Sequence, residues 1–181
     1  FSSSGATVFI DNIYFYKNPA PASGIEGTWK VASEPGSIGV GPAPGDKRWW
    51  AIDAAGLTAR SCYFDDTYVF GSNGSFSNVL GNSTWLETWQ GTAEGCGTPV
   101  APHNGTVSAT YIYDSGAGTI TLTGAGAYLG LPKATNTEEL GVNSVVPNSR
   151  VYSVTLSNGN NTMELIIETG SGVSPQKCRR V

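Results

Sequence analysis

The chain has 181 residues and a formal net charge of -4, and charged residues make up only 13% of it. The low charged fraction, with 24 glycines and 10 prolines, is typical of an extracellular all-β protein and unlike the composition of helical cytosolic proteins. The acidic balance argues against a nucleic-acid partner, and no apolar run approaches the ~20 residues needed to span a membrane.

The first predicted element is one long strand within residues 1–17. Its core, VFIDNIYFY, is rich in β-branched and aromatic side chains, which favour strands. The segment NPAPASG follows at 18–24, and its two prolines among small and polar residues indicate a stiffened linker. A module boundary is therefore predicted at 18–24, before an all-β domain over 25–170.

Short strand-like runs separated by turn signals fill the rest of the chain. They lie at 27–32, 66–80, 83–90, 105–124, 127–134 and 149–168. Three of the runs carry a glycine or asparagine turn near the middle, which predicts hairpins. In the run at 83–90 a strand is favoured, although the spacing of its two tryptophans also suits one helical turn. The tail at 171–181 shows no apolar periodicity and is predicted to be irregular.

An antiparallel meander of hairpins is the fold that this pattern predicts. A meander of about eight strands must protect its edges, either by closing into a barrel or by stacking two sheets as a β-sandwich. The residue pattern alone leaves both architectures open.

The cysteines predict one disulfide. Cys62 and Cys96 lie inside the patterned region, whereas Cys178 lies in the basic tail, so Cys62–Cys96 is the natural pair. Two buried thiols are the alternative. The chain has a single histidine, His103, and none of the spacings of a zinc site, so neither a metal nor a cofactor is predicted.

Adjacent tryptophans in the stretch GDKRWWAID supply the main candidate binding site. In an extended strand Trp49 and Trp50 point to opposite faces, so we expect only one of them to be more than a third exposed. An exposed indole can stack on the apolar C–H face of a sugar ring. Trp85, Trp89 and Tyr128 are predicted to widen this platform, although period-2 spacing also makes Trp85 and Trp89 good core residues.

The acidic residues do not predict a catalytic site. Glycoside hydrolysis needs two carboxylates facing each other across a cleft, whereas the neighbours Asp65 and Asp66 point to opposite faces of a strand. Glu87 and Glu94 could also be considered as catalytic carboxylates, but no sequence motif supports that role. We therefore expect a chain that is not an enzyme.

Three resemblances to known families are carried by particular segments of the sequence. GATVFIDNIYFYK resembles the closing strand of jelly-roll carbohydrate-binding modules of secreted bacterial proteins, which identifies 1–17 as the remnant of a preceding module. SIGVGPAPGDKRWW, RSCYFDDTYVFGSNGSF, STWLETWQG, CGTPVAPHNG and GAGAYLGLPKATN resemble a C-terminal accessory domain of marine bacterial laminarinase-like and other glycan-active surface proteins. The pair CYFDDTYVF and NGSF is also similar to lipocalin-like bacterial domains.

These resemblances imply a lipocalin-like barrel that is secreted or displayed on a bacterial cell surface. Its implied function is non-catalytic binding of a polysaccharide, for example a β-glucan such as laminarin, on behalf of a parent glycoside hydrolase. The Glu-x-Asp-x-x-Glu string of laminarinase-type hydrolases is absent. Two alternatives stay open: a barrel that encloses a small ligand, and a structural domain that self-associates when residues 7–16 add to a sheet edge.

Overall fold

The structure is a computed structural model that describes residues 24–170 and 172–181. The predicted strand at 7–16, the remnant over 1–17 and the linker up to residue 23 lie outside the described residues. The expectation that residues 7–16 join a sheet edge therefore stays a prediction.

Strands dominate the described part of the chain. In chain order they are β1 (Gly27–Val31), β2 (Gly39–Val40), β3 (Trp50–Ala51), β4 (Thr67–Phe70), β5 (Ser75–Val79), β6 (Thr84–Leu86), β7 (Gly95–Gly97), β8 (Ala109–Asp114), β9 (Thr119–Thr123), β10 (Ser149–Ser157), β11 (Thr162–Glu168) and β12 (Val173–Arg180). The helices are α1 (Ala54–Ala59), α2 (Ser61–Phe64) and a 3-10 helix at Thr88–Gln90.

Eight of these strands form a closed antiparallel barrel, in the order β1-β12-β11-β10-β9-β8-β5-β4. Each barrel strand pairs with the next one along the chain, and β12 returns to β1, where Trp29 lies opposite Arg180. The predicted all-β meander closed as a barrel is confirmed, and the alternative of a two-sheet sandwich is wrong. The strands β2 and β3, and β6 and β7, form two small separate sheets.

The C-terminal tail contradicts the prediction of an irregular segment. Residues Val173–Arg180 form β12, which pairs along its length with β11 and closes the barrel against β1. Two of the side chains that β12 buries, Ser174 and Gln176, are polar. Because these inward side chains are polar, the sequence of β12 lacks the alternation of apolar and polar residues that predicts a strand with an apolar inner face.

Two other segments also differ from their predictions. The run at 127–134 is an irregular loop rather than a strand, with one isolated bridge between Ala134 and Glu139. The run at 83–90 divides into β6 and the 3-10 helix, so the strand and the helical turn are both present. The helices α1 and α2 were not predicted.

The long connections between barrel strands all lie at one end of the barrel. Neighbouring antiparallel strands run in opposite directions, so alternate connections emerge at the same end. The connections at 32–66, 80–108 and 124–148 define what we call the capped end. The tight hairpin turns at 71–74, 115–118 and 158–161 lie at the opposite end, which we call the turn end.

Side chains fill the barrel interior. The largest of the fully buried residues are Trp29, Arg150, Tyr68, Tyr152 and Phe70. The loop at 127–134 enters the capped end and is fixed there by the barrel wall. Its Leu129 N–H donates to the Tyr152 hydroxyl at 3.1 Å, and its Gly130 N–H donates to the Tyr68 hydroxyl at 3.0 Å. The loop therefore acts as a plug.

A glycine pair tests how closely the connection at 80–108 packs on the barrel. Gly105 and Gly91 have the same backbone φ of 77°. A Cβ atom added to Gly105 would lie 2.3 Å from the Asn78 carbonyl oxygen, whereas a Cβ atom added to Gly91 would have no other atom within 4 Å. Both alanine variants meet the left-handed backbone penalty of about 1–2 kcal/mol. We expect Gly105→Ala to lose a further ~1–3 kcal/mol of unfolding free energy in urea titration. Equal losses in the two variants would contradict this packing.

Candidate functional site

A disulfide joins the first two connections of the capped end. Cys62 in α2 and Cys96 in β7 are bonded, as predicted, and their Cα atoms are 6.0 Å apart. Cys178 is a free cysteine buried inside the barrel. The disulfide holds the segment that follows α1 against the small β6–β7 sheet.

A buried arginine attaches the third connection. The Arg150 guanidinium donates to the Ala127 carbonyl at 2.6 Å and to the Pro132 carbonyl at 2.9 Å. It also lies 3.3 Å from His103 Nε2 in the second connection. Because a guanidinium only donates, this nitrogen accepts and the imidazole proton is on Nδ1. Burial, with the nearby Arg150 charge, lowers the pKa of His103 to about 4, so the ring is neutral at pH 7.

The three connections together form an open groove of about 300 Å³, which we call the aromatic groove. Its lining combines apolar side chains, two indoles and four charged groups. The lining residues are Val40, Trp49, Trp50, Arg60, Glu87, Leu131, Lys133 and Glu139.

Both adjacent tryptophans are exposed in this groove. Trp49 is 55% exposed and Trp50 is 36% exposed, so the expectation that only one of them would exceed a third is wrong. The physical reason is that β3 has only two residues and begins at Trp50. Trp49 precedes the strand, so the alternation of side chains between the two faces of a strand does not apply to it. The Trp49 ring lies against Gly172, where a Cβ atom would be 2.4 Å away.

Arg60 connects two of the tryptophans. Its guanidinium carbon lies 5.3 Å from the ring centroid of Trp50 and 4.6 Å from that of Trp85, both within cation–π range. One of its terminal nitrogens is 3.9 Å from a carboxylate oxygen of Glu87. Arg60 is the junction of α1 and α2, two residues before Cys62, so the disulfide fixes its position. Trp85 is half-buried beneath this arginine.

Trp89 supports the groove wall from behind. Its indole N–H donates to a Glu87 carboxylate oxygen at 2.8 Å, and its ring lies edge-on to His103, with the ring centroids 5.5 Å apart. Trp89 is not among the groove-lining residues, but it holds the Glu87 carboxylate in place.

Tyr128 does not belong to the exposed platform. It is 2% exposed, and its ring contacts His103 and Tyr68 inside the capped end. The expectation that Tyr128 widens the platform is wrong because the plug loop carries it inward. The Asn78 side chain also binds the Tyr128 backbone, with its amide donating to the carbonyl at 2.9 Å.

The charged lining was largely missed by sequence reasoning. Glu87 was considered only as a catalytic carboxylate, and Arg60, Lys133 and Glu139 were not singled out. Lys133 and Glu139 form an ion pair at 3.2 Å. These residues come from distant parts of the chain. Only the position of Arg60, two residues before Cys62, could have indicated that it lies near the disulfide.

The adjacent aspartates lie in different environments. Asp66 is 2% exposed, and one of its carboxyl oxygens accepts a hydrogen bond of 2.6 Å from the Thr84 hydroxyl. Asp65 is exposed and lies outside the lining of the aromatic groove. The bond between Asp66 and Thr84 instead anchors β6, which carries Trp85, to the barrel.

Comparisons with protein-family models, with curated proteins and with solved structures found no match to this chain. Its resemblance to accessory domains of glycan-active proteins therefore stays a prediction. Among the described residues, none of the helices has the length and apolar character that a membrane crossing requires.

Reduction of the disulfide is expected to loosen the capped end. Opening a link between residues 34 positions apart removes on the order of 3–4 kcal/mol of unfolding free energy. We expect a lower melting temperature with reductant and a change in tryptophan fluorescence, because Arg60 and Trp85 are no longer held together. A variant with Cys62→Ala and Cys96→Ala should not respond to reductant, and an equal response in that variant would contradict the assignment.

Asp66 is expected to make stability depend on pH. Burial raises the pKa of its carboxyl from 3.8 to about 8. The folded protein keeps this proton up to about pH 8, whereas the unfolded chain loses it near pH 3.8. The stabilising contribution is therefore complete below pH 3.8 and declines until the pH exceeds 8. His103 has the opposite effect between about pH 4 and 6.5, so pH 6.5 to 8 is the informative window.

In that window the unfolding free energy of the wild type should fall by up to about 1.4 kcal/mol per pH unit relative to Asp66→Asn. The asparagine oxygen can still accept the hydrogen bond from Thr84, so the variant removes the proton without removing the contact. Denaturant unfolding at several pH values measures the difference. Parallel pH profiles for the two proteins would show that Asp66 is ionised in the folded state.

Proposed function

We propose that this chain is a non-catalytic, extracellular accessory domain that binds a polysaccharide in the aromatic groove. The groove is open to solvent, as a site for a chain-like ligand must be. Its two exposed indoles offer the flat apolar surface on which sugar rings stack, at a low cost in side-chain entropy. The four charged groups beside them can exchange hydrogen bonds with sugar hydroxyls.

The exposure of Trp49 is the observation that carries the proposal. Trp49 is 55% exposed as a residue, although its ring rests on Gly172 and borders the aromatic groove. The neighbouring Trp50 is covered by the Arg60 guanidinium, so less of its ring is available to a ligand. We therefore assign sugar stacking to Trp49 and the positioning of Arg60 to Trp50.

The bacterial cell surface or the extracellular medium is the proposed location. A disulfide persists in oxidising surroundings, and the low charged fraction fits the same compartment. A tethered parent glycoside hydrolase, with a β-glucan such as laminarin as its substrate, belongs to the proposal through the resemblance of the quoted segments.

Small-ligand binding inside the barrel has less support. Large buried side chains, including Trp29, Tyr68 and Tyr152, occupy the interior, and the plug loop enters the capped end. Assembly through residues 7–16 has no barrel edge to use among the described strands, because β12 pairs with β1. Polysaccharide binding is the function that the described residues favour.

Affinity electrophoresis in gels containing laminarin, agar or alginate tests the proposal. We expect at least one glycan to retard the wild type and Trp49→Ala to weaken binding by about tenfold, with a nearly unchanged melting temperature. Trp50→Ala should weaken binding and also lower the melting temperature, because it uncovers Arg60. Ile112→Ala is the control, since Ile112 is 70% exposed on the outer barrel wall, and should change neither. Full retention by Trp49→Ala would remove the groove from consideration.

A further inference from the structure

We propose that the aromatic groove selects uncharged glycan chains and rejects glycans that carry uronate or sulfate groups. This inference rests on the proposed function and adds the chemical class of its ligand. It follows from how the charged residues of the groove are arranged, rather than from the tryptophans.

Each cation of the groove lining lies beside a carboxylate. Arg60 is 3.9 Å from Glu87, and Lys133 is 3.2 Å from Glu139. The two cations and two carboxylates give the lining a net charge of zero. The Arg60 and Glu87 side chains are only 18% and 21% exposed, so little room is left for an anion to displace one partner.

An anionic sugar would gain little in such a groove. Recognition of a carboxylate or sulfate depends on arginine or lysine donors that are not already neutralised, ideally in a bidentate arrangement. Here the Arg60 guanidinium also lies against the rings of Trp50 and Trp85, which restricts its reorientation. An incoming anion would lie beside Glu87 or Glu139, and the net charge of -4 on the whole chain adds long-range repulsion.

An uncharged sugar avoids this penalty and can use both members of each pair. Its hydroxyl groups donate to the Glu87 and Glu139 carboxylates and accept from Arg60 and Lys133. The ion pairs remain intact while they bind, so no charge is left without a partner. Stacking on Trp49 supplies the apolar part of the contact.

Binding to size-matched oligosaccharides of laminarin, which is uncharged, and of alginate, which is a polyuronate, tests the inference. Tryptophan fluorescence titration at low ionic strength measures both affinities. We expect the wild type to prefer the laminarin oligosaccharide by roughly tenfold or more. Trp49→Ala, measured in parallel, shows whether binding occurs in the groove.

Glu139→Gln supplies the decisive variant because it leaves Lys133 without its carboxylate. We expect this change to raise alginate affinity by about threefold and to make that binding sensitive to salt. Asp114→Asn is the matched control. It removes the same charge from the last residue of β8, at the turn end, and preserves an acceptor for the two turn N–H groups that Asp114 binds. Alginate affinity of this control should stay at the wild-type value.

The outcomes separate the two proposals. Equal or stronger binding of alginate by the wild type, lost in Trp49→Ala, would overturn the selectivity and leave glycan binding intact. The same response in Glu139→Gln and Asp114→Asn would also overturn it, because the ion pair would not be the cause. Absence of binding to any glycan in the gel panel would overturn the proposed function, and the selectivity with it.

Discussion

Pairing between β12 and β1 is the constraint on which the rest of the structure depends. It closes the barrel and leaves no exposed barrel edge among the described strands. At this seam Trp29 lies opposite Arg180, and the Arg180 guanidinium carbon is 4.5 Å from the centroid of the buried indole. Glu34 reinforces β12 from outside through ion pairs with Lys177 at 2.6 Å and Arg179 at 3.3 Å.

Closure of a simple meander also decides where a binding site can form. Successive strands alternate in direction, so three long connections meet at one end and tight turns occupy the other. Two kinds of bond then hold the connections together. The Cys62–Cys96 disulfide joins the first two, and the Arg150 side chain, which hydrogen-bonds the third, also contacts His103 in the second. The connections that line the aromatic groove are therefore cross-linked to one another and to the barrel. Under the proposed function, this would reduce the entropy lost when a ligand orders the site.

Prediction from sequence succeeded where the physical signal was local. Hairpin turns and β-rich runs revealed the meander, and position in the chain was enough to pair Cys62 with Cys96. It failed for β12, whose buried face carries Ser174 and Gln176, and for the loop at 127–134, which is apolar because it plugs the barrel. Composition alone does not distinguish a buried loop from a strand.

The sequence by itself determined the all-β class, the meander and the disulfide, because turn chemistry and strand propensity act over a few residues. It also identified Trp49 and Trp50 as candidates, but not that both are exposed. Only the tertiary structure decided closure, the position of Arg60 between two indoles and the pairing of each groove cation with a carboxylate. These features join residues far apart in the chain, and their distances arise only when the barrel brings the connections together.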